Sequence, residues 1–504
     1  MRRLVRSTAI LGLGSVATVV AAILRAKILA HWLGPEGTGV LAQLASLTAV
    51  LVPLGTLGVG NGLVTMIADA RAKGDDARVR ALERTALTLA WLVGGGLAIF
   101  AIIASPMLAN GIYHDGGFAW AVILGGITVP LSAVASLRIS ILQGHQAVRA
   151  MAGLNFVIAA SGIVTIIPLA YFYGVRGAVA QLVLIAAIYA WWSGRLVKPH
   201  LRAGASTAGG ARAPESASAA APTPARVPRI DRALLRPLLR FGASALLVGL
   251  SSTLTLLILR SILVQKLGLG PNGIYQVCVG VSGLLMPTIL NAITATVWPE
   301  IASQATDADA APSMRSAVRL TFLLTTGACA GILIGAPIWV PLFYSGKFLP
   351  ALDLLPLQFL GDYFRAAAWM FGIWLVPRNR LKPWVAFDLV YGVTLLLAFV
   401  LLVDRIGLKS VVIGYVLAHV THAVLHYALA RRALGFRLGP DNRRLLLASL
   451  ALLVGLVAWT PRSLPGVALG GLAVAVWAVV VVRPHEWKAV REIALRRMGF
   501  APGA

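Results

Sequence analysis

An all-α, polytopic integral membrane protein of about fourteen transmembrane helices, in two six-helix lobes followed by a helical hairpin, is the fold class that this sequence predicts. Three observations carry that expectation. The 504 residues are 58% hydrophobic and only 12% charged, with a mean hydropathy of +0.83, more apolar surface than a soluble core can enclose. Apolar runs long enough to cross a bilayer recur along the whole chain. A shift of 234 positions lays Leu33-Gly34, Gly39, Pro53 and Ile67-Ala68 on Leu267-Gly268, Gly273, Pro287 and Ile301-Ala302 without a gap, which is an internal duplication.

At roughly 20 apolar residues per crossing, the first lobe holds spans near 7 to 30, 38 to 67, 86 to 107, 117 to 142, 151 to 173 and 177 to 197. The second holds 240 to 265, 274 to 298, 316 to 344, 350 to 376, 383 to 403 and 408 to 430, and the terminal hairpin holds 444 to 460 and 464 to 482. Arg2, Arg3 and Arg6 before the first run suggest a signal peptide. That run is too long for one and is followed by many more, so it reads as an uncleaved first helix.

The basic residues alternate by loop. The N-terminus, every even-to-odd loop and the C-terminus together hold 34 of the 44 Lys and Arg, which places both termini in the cytoplasm. The net charge of +26 is thereby a topology signal, and no nucleic-acid partner is expected. Six spans separate the two copies of the repeat, so they enter the membrane in the same orientation and are related by a pseudo-twofold axis along its normal. The expected domains are an N-terminal lobe at 1–198, a cytoplasmic linker at 199–235 rich in Ala, Pro, Ser and Gly, a C-terminal lobe at 236–435, and a hairpin with a basic tail at 436–504.

Several chemistries are excluded. Gly346-Lys347 lacks the upstream glycine and the following hydroxyl of a phosphate loop, so the chain carries no ATP cradle. Cys278 and Cys329 are too few for a zinc cluster and read as packing residues. His419, His422 and His426 share a helix face. Their span brings no carboxylate beside them, which favours a packed stripe over a metal or proton site.

Polarity inside the spans is the remaining pointer to a site, because a central charge costs roughly 2.5–3.5 kcal/mol on the insertion scale. Arg365 lies about 22 Å and 16 Å from the two ends of span ten at 1.5 Å per residue, with Asp362 three residues earlier on the same face. Arg25 and Lys27 on span one and Arg260 on span seven fall at matching depths, since Arg260 lands on Ala26 at the repeat offset. Residues two apart do not share a face, so at most one of Arg25 and Lys27 points inward. Asp362 and Asp388 are the candidates for ion coupling. Pro53 and Asn61 on span two, and Pro287 and Asn291 on span eight, mark candidate hinges or cavity-lining breaks. No metal site is expected.

Leu33-Gly34-Pro35-Glu36-Gly37-Thr38-Gly39, Lys347-Phe348 and Gly361-Asp362-Tyr363-Phe364-Arg365 resemble the Wzx-type flippases of the multidrug, oligosaccharidyl-lipid and polysaccharide (MOP) exporter superfamily, above all the O-antigen and lipid III translocases. The resemblance covers roughly residues 5 to 435 and implies a MATE/MOP-like fold in a bacterial inner membrane. It also implies movement of an undecaprenyl-pyrophosphate-linked oligosaccharide from the cytoplasmic to the periplasmic leaflet by alternating access. By the same resemblance, Arg365 beside Asp362, with Arg25 or Lys27 and Arg260, would hold the pyrophosphate. The expected partners are the lipid-linked oligosaccharide, membrane lipids and polysaccharide assembly proteins. No cofactor is expected, and the drive is left between membrane potential, a proton and sodium. Two rivals stand: a MATE-like drug/cation antiporter, which should carry more intramembrane carboxylates than cations, and a membrane glycan polymerase or ligase, an enzyme that needs a larger periplasmic loop than this chain offers. The linker and the terminal hairpin depart from the family pattern.

Overall fold

The computed structural model describes residues 2–206, 230–304, 306, 309–459, 464–484 and 486–487. The middle of the expected linker, 207–229, and the basic tail from 488 onward lie outside the described residues. Among the described residues there is no strand. The helices are α1 (Arg2–Gly55), α2 (Gly60–Ala72), α3 (Asp76–Ile103), α4 (Ser105–Tyr113), α5 (Ala119–Gly144), α6 (Val148–Ser206), α7 (Arg232–Leu267), α8 (Leu269–Ser303), α9 (Ala310–Phe343), α10 (Leu355–Gly372), α11 (Leu381–Ile406), α12 (Lys409–Leu434), α13 (Pro440–Ala458) and α14 (Leu464–Val481). Nine helical stretches among them are long and apolar enough to cross a membrane. Two of the nine, Val20–Ala72 and Val148–Lys198, contain the kinks of α1 at Gly34 and of α6 at Gly174. Large apolar side chains such as Ile103, Val164, Leu401 and Val479 stand exposed on these helices, as suits surfaces facing lipid. The chain is a multi-pass membrane protein.

The kinks are reversals. In α6, Gln181 Nε2 donates to the Gly162 carbonyl at 3.0 Å, although 19 residues of straight helix would put them about 28 Å apart. Gly34 (φ 63°) and Gly268 (φ 93°) occupy the left-handed region at equivalent places in the two copies, a conformation that a side chain resists. The Leu-Gly motif of the repeat is thus the turn that folds each copy back on itself.

By their contacts the helices form two compact units, Met1–Gln276 with Phe343–Lys347, and Val277–Leu342 with Phe348–Ala504. This boundary falls inside α8, away from the 199–235 linker. The reason lies in α7, which packs on α1, α2, α3 and α4. At one end Leu234 and Leu238 join a buried cluster with Val79, Leu82 and Ile67, and the Asp231 amide donates to Thr85 Oγ1 at 3.0 Å. Near the other end Gln43 Nε2 donates to Ser261 Oγ at 2.9 Å. Beyond the Gly268 turn the backbones nearly touch. A Cβ on Gly39 would lie 2.0 Å from the Leu269 oxygen, and one on Gly273 would lie 1.8 Å from the Pro35 oxygen. Pro35 and Leu269, like Gly39 and Gly273, are 234 positions apart, so the contact is reciprocal.

In the second unit α12 packs on both α10 and α11, and α13 packs on α10 and α14. Trp477 Nε1 donates to Ser449 Oγ at 3.2 Å. Buried Arg319 on α9 donates to Glu486 Oε1 (2.5 Å) and Oε2 (2.8 Å) and to the Val481 carbonyl (2.9 Å), tying the end of α14 to the unit.

Candidate functional site

Four helices of the second unit enclose a polar seam. Along α12, Tyr415, His419, His422 and His426 recur at steps of four, three and four residues and therefore share one face. Asp362 and Arg365 face them from α10, Asp388 and Tyr391 from α11, and Ser282 from α8. Two glycines let α10 come close. A Cβ on Gly361 would lie 2.3 Å from the Tyr415 ring, and one on Gly372 would lie 2.3 Å from the His426 ring.

Asp362 is fully buried at 0% exposure. Its Oδ1 accepts from Ser282 Oγ at 2.7 Å and from Tyr415 Oη at 2.8 Å, while its Oδ2 has no partner. Arg365 Nη1 stands 4.0 Å from Oδ1, at the outer limit of an ion pair, and its side chain keeps 36% of its surface exposed. The two hydroxyls hold the carboxylate, and Tyr415 also hydrogen-bonds the guanidinium, whose side chain stays partly exposed. A planar guanidinium of this kind can take a phosphate through two parallel hydrogen bonds. The helix is shorter than the span expected at 350 to 376, because 346–353 form a 3-10 turn and 373–379 a further turn. Arg365 thus lies about 15 Å and 10 Å from the ends of α10.

Further along the seam, His419 is buried between Tyr391 and Tyr415, with ring centroids 4.5 Å and 4.4 Å away. His422 Nε2 lies 3.5 Å from Asp388 Oδ1, and the rings of His422 and His426 are 4.4 Å apart. This corrects the expectation that no carboxylate stands beside the histidines. The carboxylate comes from the neighbouring helix, at a distance that periodicity along α12 cannot reveal. Among the described residues no group of three or more His, Cys, Asp or Glu could hold a metal ion.

Arg25, Lys27, Arg260, Pro53 and Asn61 lie in the first unit, Pro287 and Asn291 in the second. Arg25 is half-buried and donates to Gln181 Oε1 at 2.9 Å, whereas Lys27 is exposed. Arg260 is 1% exposed and donates to Asn272 Oδ1 at 2.7 Å and Gln276 Oε1 at 2.5 Å, with the Tyr275 ring 5.4 Å from its guanidinium carbon. It is caged by its own helical hairpin and not open to a cavity. Pro53 precedes a true break. Leu57 and Gly58 both take positive φ between α1 and α2, and Gly242 of α7 approaches so closely that its Cβ would lie 2.1 Å from the Leu57 oxygen. Asn61, itself exposed, follows in α2. Pro287 and Asn291, by contrast, lie within an unbroken α8. Sequence reasoning missed Ser282, Tyr391, Tyr415 and the Asp388–His422 pair. One signal was available: residues 388 and 422 are equidistant from position 405, beside the Gly407 turn of an antiparallel helical hairpin.

Known proteins give a consistent frame. The polysaccharide biosynthesis protein family matches residues 4–304. The chain is 22% identical over 389 residues to the Lipid III flippase of Escherichia coli (strain K12), covering 75% of this chain and 86% of that one, and matches the Shigella flexneri protein of the same name equally. Among solved structures, an inward-facing multidrug resistance MATE family transporter of the MOP superfamily superposes with a TM-score of 0.65 at 16% identity, over 84% of this chain and 98% of that one. The Lipid II flippase MurJ in its inward closed conformation superposes with a TM-score of 0.61 at 11% identity, over 98% and 99%. The fold is therefore that of the MATE and MurJ transporters, and with more than half of its length matched the chain belongs to the polysaccharide biosynthesis protein family.

Proposed function

We propose that this chain is a flippase that moves an undecaprenyl-pyrophosphate-linked oligosaccharide from the cytoplasmic to the periplasmic leaflet of a bacterial inner membrane by alternating access. The observation that carries this reading is Arg365, a cation within α10 that is more than one third exposed although its carboxylate partner is fully buried. The name of the Escherichia coli relative, which refers to a lipid-linked substrate, supports it. In this reading Arg365 takes the pyrophosphate, and the glycan crosses the membrane through the protein while the lipid tail stays in the bilayer. The break at Thr56–Val59 gives the first lobe a joint on which to rock. Both termini are cytoplasmic, and an inside-negative potential favours outward movement of an anion by about 2.3 kcal/mol per charge per 100 mV. No cofactor takes part. Polysaccharide assembly proteins are its partners.

The test is leaflet sidedness of lipid-linked oligosaccharide in cells that depend on this chain. Arg365→Ala at normal membrane abundance should leave the oligosaccharide in the cytoplasmic leaflet. Undiminished flipping in that variant would remove Arg365 from the site, and export of organic cations without flipping would point to the drug/cation antiporter instead.

A further inference from the structure

The histidine stripe has a use that the proposed anion site does not absorb. Four buried polar atoms of the seam have no hydrogen-bond partner: Asp362 Oδ2, His419 Nδ1, His422 Nε2 and His426 Nε2. Buried polar groups are almost always paired, so four in one seam call for an explanation. Asp362 stands at the Tyr415 end of the stripe and Asp388 beside His422, and aromatic contacts fix the rings. Among the described residues, the titratable or charged groups that face this stretch are Asp362 and Arg365 from α10, Asp388 and Tyr391 from α11, Tyr415 and the three histidines from α12, and the buried thiols of Cys278 on α8 and Cys329 on α9.

We propose that Asp388 and His422 form a proton-binding pair, and that His419 and Tyr415 connect its occupancy to Asp362 and thereby to Arg365. A water-borne proton binds the pair, turning carboxylate and imidazole into carboxylate and imidazolium, or into carboxylic acid and imidazole, and leaves by the reverse step. A proton there closes the 3.5 Å gap into a hydrogen bond and gives His422 Nε2 its missing partner. One proton more or less within the seam changes the field at Arg365, which is where this proposal meets the flippase reading. Its test needs no flipping, so the two can fail separately.

The test uses the full chain in lipid, with choline replacing sodium. Infrared difference spectra report carboxyl protonation, and nitrogen-15 histidine spectra report imidazolium, between about pH 8 and 5. The wild-type protein is expected to show one or the other, lost in Asp388→Asn for a carboxyl signal and in His422→Gln for an imidazolium signal. Spectra over this pH range that are the same in wild type and in both variants overturn the proposal. So does a seam that responds to sodium at fixed pH and not to protons.

Discussion

Replacing Gly273 by alanine is the sharpest test of how the Leu-Gly repeat holds the first unit together. The new Cβ would meet three backbone atoms, the Pro35 oxygen at 1.8 Å, its carbonyl carbon at 2.7 Å and the Gly39 nitrogen at 3.0 Å. No rotamer change relieves a clash with backbone. Ordinary contact begins at 3.4 Å, so α1 and α8 must part by about 1.6 Å. Overpacking of this kind costs about 1–3 kcal/mol. With main chain on both sides the upper end applies, and about 3 kcal/mol is a shift of roughly 100-fold in the equilibrium between closed and parted backbones. The separation also stretches the bond from Asn272 Nδ2 to the Gly39 carbonyl, now 3.0 Å. Amide exchange followed by mass spectrometry reads the effect directly: protection of 37–43 and 269–276 should fall by about two orders of magnitude while α13 keeps its own. Unchanged exchange in both segments, together with an unchanged melting temperature, would refute the reasoning.

Four further outcomes are expected. Gly361→Ala should push the Tyr415 ring off α10 and break its bond to Asp362, lowering stability by about 1.5–3 kcal/mol; a melting comparison with Tyr415→Phe and the double variant should show strong non-additivity. Hydrogen bonds from Arg319 hold the Glu486 carboxyl below its usual range, so its stabilisation is present above about pH 4.3 and is lost as pH falls through the lower folded value; melting curves of wild type and Glu486→Ala should differ near neutrality and converge in acid. Thr85→Ala, which leaves the Asp231 amide without its acceptor, should cost about 0.5–1.5 kcal/mol and raise proteolysis near residue 230. Arg25→Ala should impair flipping while Lys27→Ala leaves it intact, since only Arg25 is drawn in by Gln181.

Much of the architecture was legible in the residues. Hydrophobic length gives a many-helix membrane protein, and Gly34 and Gly268 stand at the turns because the left-handed backbone is cheap only for glycine. Asp362 and Arg365 stood out by cost alone. Other features depend on which way a helix is rotated against its neighbours, which periodicity does not encode. That hid the pairing of Asp388 with His422, the cage around Arg260, and the reach of Arg25 to Gln181. The expected symmetry of Pro53 and Pro287 failed for a local reason that could have been read: Gly58 of the first copy falls on Ala292 of the second. An alanine does not enter positive φ without strain, so α8 runs on where α1 stops. The boundary inside α8 follows from the packing of α7 on α1, α2, α3 and α4.

The reciprocal approach of Pro35 to Gly273 and of Leu269 to Gly39 has the form of an isologous interface, in which one patch meets its own copy across a twofold axis. The chain carries within itself the contact of a homodimer. Half-length chains with only one copy of the Leu-Gly turn would have all the atoms needed to pair in this way, and fusing two of them end to end would have left the joint unchanged.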